Sequence, residues 1–99
     1  MKTWTPDIFR EAINLFEHAL ALDPRSVEAQ SRLAFILVTR VLSGMADSAA
    51  ADFARAEGLV DQALAALPRY AFAHFAKGNV LRAQNRWDEA IPEYEQRSH

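Results

Sequence analysis

The sequence predicts an all-α chain built from antiparallel helix pairs, and three observations carry that prediction. Nineteen of its 99 residues are Ala against three Gly and four Pro, a bias toward the strongest helix former that few sheet proteins share. Apolar residues make up 51% and charged residues 24%, a balance that favours a packed core over disorder. Small and apolar residues also recur in one order at fixed spacings. Ala12, Phe16, Ala19 and Pro24 are separated by four, three and five residues, and Ala56, Val60, Ala63 and Pro68 repeat those intervals. Ala90 and Tyr94 follow Ala56 and Val60 by 34 residues, with Arg97 where a third Ala would stand. The upstream halves match too, since Leu33, Ala34 and Leu37 in one copy answer to Lys77, Gly78 and Leu81 in the next.

Five helices are expected, at about 6–22, 26–42, 47–66, 70–84 and 87–97. Thr5 stands where its hydroxyl can accept from first-turn amides, and Pro6 takes the first helical position, where its missing N–H costs nothing. Ser26 caps the second helix. The step from Ala12 to Ala56 is 44 residues, so ten residues beyond the 34-residue period fall between Leu37 and Phe53. Ser43-Gly44-Met45 carries the turn chemistry there, which predicts a hairpin extended by about five residues on each arm, roughly 7 Å, with a ten-residue loop as the alternative. Asp47 or Ser48 caps the third helix, and Asn85 tolerates the left-handed conformation that ends the fourth. Pro92 deletes one bond of the last helix and predicts a local kink. Both ends interrupt a repeat, from which a piece of a longer protein is expected.

No single amphipathic helix can bury its own stripe, so stability is expected from stacking. Ala34 and Gly78 mark the crossings within each hairpin, opposite Ala12, Ala56 and Ala90, while Phe16, Val60 and Tyr94 fill the space between one repeat and the next. The whole of 1–99 reads as one domain, divided into the second helix of a partial repeat (6–24), a full repeat with the extended hairpin (26–68) and a truncated third (70–99).

This pattern resembles the tetratricopeptide repeat, a 34-residue helix-turn-helix with the signature W-x2-L-G-x2-Y, then A-x3-F-x2-A, then P. The likeness is strongest from Ala71 to Tyr94, where Gly78, Leu81, Trp87, Ala90 and Tyr94 fall in register. Gln30 and His74 replace the tryptophan, Lys77 the leucine and Val60 the aromatic. The resemblance implies a right-handed superhelical α-solenoid fragment that binds a peptide or partner protein in a concave groove lined by the first helix of each repeat. The family's ligand-facing positions correspond by register to Glu28, Ser31, Phe35, Val38 and Thr39, then to Phe72, Phe75, Asn79, Arg82 and Ala83. Phe72, Phe75, Asn79, Arg82, Phe35 and Ser31 are therefore the candidate groove residues.

Phe72 and Phe75 are apolar where Ala73, Ala76, Val80 and Leu81 already supply a packing stripe, so they read as interface anchors or as core once covered by a further helix. A clamp for a C-terminal carboxylate would need Lys or Asn at Ser31, Phe35, Phe75 and Asn79, and Asn79 alone fits. The segment Leu81–Tyr94 is also similar to repeats appended to bacterial class III nucleotide cyclases and winged-helix regulators. That narrower likeness implies a regulatory or oligomerisation segment of a larger signalling protein. A third expectation is a homodimer formed through the open terminal faces.

Other functions find less support. A net charge of −2 gives no general attraction to nucleic acid or anionic lipid, and the longest apolar run, Leu33 to Val38, is far short of a membrane span. The absence of Cys removes thiolate chemistry and Cys-ligated metals. His18, His74 and His99 lack partners at metal-ligand spacing, and Glu57 with Asp61 reads as a solvated pair. The chain is expected to be no enzyme, to need no cofactor or metal, and to bind neither nucleic acid nor membrane. No apolar leader opens the sequence, so a cytoplasmic location is expected. Between Gln62 and Trp87 lie four bases (Arg69, Lys77, Arg82, Arg86) and no acid, whereas Asp88 to Glu95 holds four acids. This asymmetry predicts pairing between neighbouring helices or a basic groove for an acidic peptide.

Overall fold

The first three helices begin where the sequence supplies a hydroxyl cap. The elements are α1 (Pro6–Leu22), α2 (Val27–Leu42), α3 (Ala49–Ala66), α4 (Ala71–Ala83) and α5 (Trp87–Arg97). The computed structural model describes residues 5–97, without the side chains of Gln96 and Arg97. His99 and the Arg97 side chain, both singled out in the sequence, lie outside that description. Thr5 Oγ1 accepts from Ile8 N–H, Ser26 Oγ from Ala29 N–H and Ser48 Oγ from Ala51 N–H, each at 3.2 Å. Of the two candidate caps for α3, Ser48 is the one used. Asn85 takes φ 62° after α4, and α5 runs unbroken through Pro92.

The two turns that link successive hairpins are built alike. Asp23 N–H donates to Ala19 O at 2.9 Å and Leu67 N–H to Ala63 O at 2.8 Å, closing α1 and α3 one residue before Pro24 and Pro68. The extended hairpin also exists as helix, with a different partition from the one expected. Relative to the second hairpin, three of the ten residues lengthen α2, three enlarge the turn and four lengthen the start of α3. Gly44 at φ 73° turns the chain where a side chain would be strained. A bidentate ion pair braces the extension: Arg40 Nε and Nη2 donate to Asp52 Oδ2 and Oδ1 at 2.9 and 2.8 Å. The Asp52 hydrogen bond, and then its charge, hold the Arg40 guanidinium above its ordinary pKa against the opposing effect of burial.

Successive helices pack as antiparallel neighbours, and the two leading helices α2 and α4 also lie against each other. Helix α2 is consequently the centre of the molecule. Leu33, Ala34, Leu37 and Val38 on it are at most 1% exposed, and they meet Phe9 and Ile13 of α1, Ala56 and Val60 of α3, and Ala76 and Val80 of α4. Two expectations change. Phe16 is only half-buried, and the fully enclosed ring of α1 is Phe9, one turn nearer the helix start. Tyr94 does not fill a gap toward a following repeat; its ring folds back over Gly78 of its own hairpin. A radius of gyration of 13.0 Å is that of a compact domain of this length, about 13 Å, because so few repeats cannot yet form an elongated solenoid.

Candidate functional site

Phe72 and Phe75 are three residues apart on α4 and share one helix face. Contact between α4 and α2 adds Phe35, and the three rings form a closed triangle in which every centroid pair is 6.0 Å apart. Phe72 meets both others near edge-to-face, while Phe35 and Phe75 stack at 26°. Such offset and edge-on arrangements suit the ring quadrupoles. Tyr94 extends the cluster at 6.2 Å from Phe75. All three phenylalanines remain half-buried. Phe35 touches the edge of the main core, whereas Phe72 and Phe75 form a satellite to it.

Arg32 is the member that sequence reasoning missed. Its guanidinium lies 4.9 Å from the Phe72 ring centroid, a cation–π distance, and its Nε is 3.4 Å from Glu28. Arg32 precedes Phe35 by one turn, which is legible in the sequence, but its place over a ring of another helix follows only from α2 packing on α4.

The remaining candidates divide. Arg82 is exposed, with no ion pair among the described residues. Asn79 is 7% exposed, and its Oδ1 accepts from the Tyr94 hydroxyl at 2.7 Å, so it anchors α5 and offers little surface to a ligand. Ser31 is completely enclosed, and its Oγ has no hydrogen-bond partner among the described residues. The register that placed Ser31 on a groove is overridden by how deeply α2 sits between its neighbours. Of the other positions carried over by register, Val38 is buried and the Thr39 hydroxyl donates back to Phe35 O at 2.8 Å.

Part of the basic run is consumed within the fold. Lys77 Nζ reaches Asp61 on α3 at 3.4 Å and Glu93 on α5 at 3.8 Å. Arg86 pairs with Glu57 at 3.0 Å and with Glu89 at 2.7 Å. The hydrogen bonds that Arg86 donates to Glu89 and then to Glu57 raise its pKa further, and in return the Arg86 hydrogen bond lowers that of Glu89. Lys77 is thus held by two carboxylates, Arg32 stands over Phe72 while paired with Glu28, and the exposed Arg82 lies on α4 two turns beyond Phe75.

The polar residues at the tryptophan position have a shared purpose. Gln30 Nε2 donates to Pro24 O at 3.0 Å, and His74 Nε2 stands 2.6 Å from Pro68 O. Since a carbonyl only accepts, that nitrogen carries a proton. Each side chain ties the start of a hairpin to the turn before it. His74 Nδ1 also lies 2.6 Å from Glu93 Oε2, joining α4 to α5.

Among the described residues no group of three or more His, Cys, Asp or Glu could hold a metal ion, and no helix is long and apolar enough to cross a membrane. A family model described as Tetratricopeptide repeat matches residues 42–98. Comparison with curated proteins and with solved structures gave no match. These comparisons do not extend the narrower likeness of Leu81–Tyr94 to cyclase-linked or regulator-linked repeats.

Proposed function

Because the chain belongs to the tetratricopeptide repeat family, whose stacked hairpins are in general protein-interaction modules, we propose that it binds a peptide segment of a protein partner across the face shared by α2 and α4. The observation that carries this reading is the half-exposed triangle of Phe35, Phe72 and Phe75, built by two helices, with Arg32 over Phe72 and the exposed Arg82 two turns beyond Phe75 on α4. Partly exposed aromatic side chains next to arginine are the composition of binding hot spots. Rings already packed on one another also lose little conformational freedom when a ligand arrives.

The partner is a segment with one apolar or aromatic anchor among acidic residues. The anchor adds to the ring cluster while its carboxylates meet Arg32 and Arg82. Ser31 and Asn79 support the floor and make no ligand contact. Calorimetric titration of short acidic peptides carrying one leucine or phenylalanine tests this reading, with Phe75→Ala and Arg82→Ala as controls. Phe75→Ala weakens binding at every salt concentration. Arg82→Ala weakens it chiefly at low salt, where an exposed charge is least screened. Equal affinity in both variants, with helicity intact, rejects this face as the site.

A further inference from the structure

The contact between His74 and Glu93 is complete only with one proton more than a neutral imidazole and a carboxylate bring to it. His74 Nε2 donates to Pro68 O at 2.6 Å, so a neutral ring presents only a lone pair at Nδ1. That nitrogen stands 2.6 Å from Glu93 Oε2, and a carboxylate oxygen is an acceptor as well. Two lone pairs do not approach to hydrogen-bond distance without a proton between them. The two side chains are 13% and 19% exposed, which leaves water little room to stand in for that proton.

The charges around the ring favour the doubly protonated form. Among the described residues, Lys77 of α4 reaches Glu93 Oε1 at 3.8 Å and Asp61 of α3 at 3.4 Å. Glu89 of α5 is taken up by Arg86, and Arg69, beside Pro68 in the turn, is exposed. With an imidazolium, His74 and Lys77 balance Glu93 and Asp61, whereas a neutral ring leaves this cluster one negative charge in excess. The first hairpin makes the equivalent tie without a titratable group. Gln30, the counterpart of His74, donates its amide N–H to Pro24 O at 3.0 Å, and Leu59 stands where α5 has Glu93.

We propose that this contact is a proton-dependent clasp, in which His74 as an imidazolium holds α5 onto α4 and loss of its Nδ1 proton loosens α5. The sign follows from the hydrogen bonds. The clasp is complete below the pH at which the Nδ1 proton leaves, and its contribution is lost as the pH rises through that point. Tyr94 follows Glu93 on α5, and its ring lies against Phe75 and over Gly78. The Tyr94–Phe75 contact therefore depends on the same proton, which gives the aromatic cluster one pH-sensitive edge. The inference stands on the α4–α5 contact and not on peptide binding.

Amide exchange of α5 in the full chain, corrected for its intrinsic pH dependence, tests the clasp together with the nitrogen-15 spectrum of the His74 ring. Between about pH 5.5 and 8.5, either side of the ordinary imidazole value of about 6.5, α5 protection is expected to fall about tenfold or more, the equivalent of one charge-assisted hydrogen bond. The Nδ1 proton is expected to disappear along the same curve. His74→Gln gives the last hairpin the side chain that Gln30 provides in the first, so the tie to Pro68 O is kept and the pH step is expected to vanish. In Glu93→Gln the amide accepts from an imidazolium and donates to a neutral ring, so the step is expected to shrink while helicity is retained. Protection of α5 that stays flat across this range in the unaltered chain overturns the proposal. So does a step that survives His74→Gln, or an Nδ1 proton lost without any change in α5 exchange.

Discussion

The aromatic ring of Tyr94 occupies the space that a side chain at Gly78 would need: a methyl group there would lie 2.6 Å from Tyr94 Cε1 and 2.9 Å from Cζ. The hydroxyl on the same ring donates to Asn79 Oδ1, the residue next to that glycine. Helix α5 is thus keyed to α4 by shape at one position and by a hydrogen bond at the next. The glycine is required here by packing and not by backbone conformation.

Gly78→Ala is therefore expected to displace the Tyr94 ring and cost about 1–3 kcal/mol, the usual penalty of overpacking. Tyr94→Phe keeps the ring and removes the donor, at roughly 0.5–1.5 kcal/mol. Denaturant melts of both single variants and of the double variant complete a cycle. Strictly additive losses would mean that the two residues are not coupled.

Phe9→Ala is expected to cost roughly 3–5 kcal/mol, as for other fully buried aromatics, because Phe9 is 0% exposed within the core. Phe16→Ala costs clearly less, since Phe16 is half-buried. Equal losses on urea unfolding would contradict the observed packing of α1 on α2.

The Arg40–Asp52 pair makes a third prediction. Its side chains are 26% and 11% exposed, and Asp52→Ala leaves a partly buried guanidinium without its bidentate acceptor. A loss of about 1.5–3 kcal/mol is expected, the range for hydrogen bonds to charged groups. Amide exchange should accelerate at the hairpin ends, residues 38–54, before it does so in α4. Uniform acceleration across all five helices would show that the extension is not a separate stability unit.

Acid should loosen the last hairpin at the Arg86–Glu89 contact. The Arg86 hydrogen bond lowers the Glu89 pKa in the folded chain, so the contact contributes fully above the unfolded carboxylate value of about 4.3. That contribution is lost as pH falls through the lower folded value. Exchange of α5 amides measured on descending pH should therefore rise below about pH 4, once the intrinsic pH dependence of exchange is removed, and Arg86→Gln should abolish that step. Because the pair is exposed, salt should shrink the step as well.

The sequence by itself determined the helices, their order and most of their ends. Those features rest on local chemistry: Thr5, Ser26 and Ser48 offer hydroxyls to first-turn amides, and Asn85 and Gly44 accept left-handed backbone. The recurrence of Ala12, Phe16, Ala19 and Pro24 as Ala56, Val60, Ala63 and Pro68, with the 34-residue step on to Ala90 and Tyr94, identified the repeat, because similar hairpins need small residues at the same crossings. Tertiary structure decided what those spacings cannot encode, namely which atoms of different hairpins meet. Burial of Ser31, the choice of Phe9 over Phe16 as the enclosed ring of α1, and Arg32 over Phe72 all depend on the angle and depth at which α2 sits among α1, α3 and α4. Long-range side-chain contacts arise from the sum of many weak packing terms across helices, and no local run of residues carries that sum.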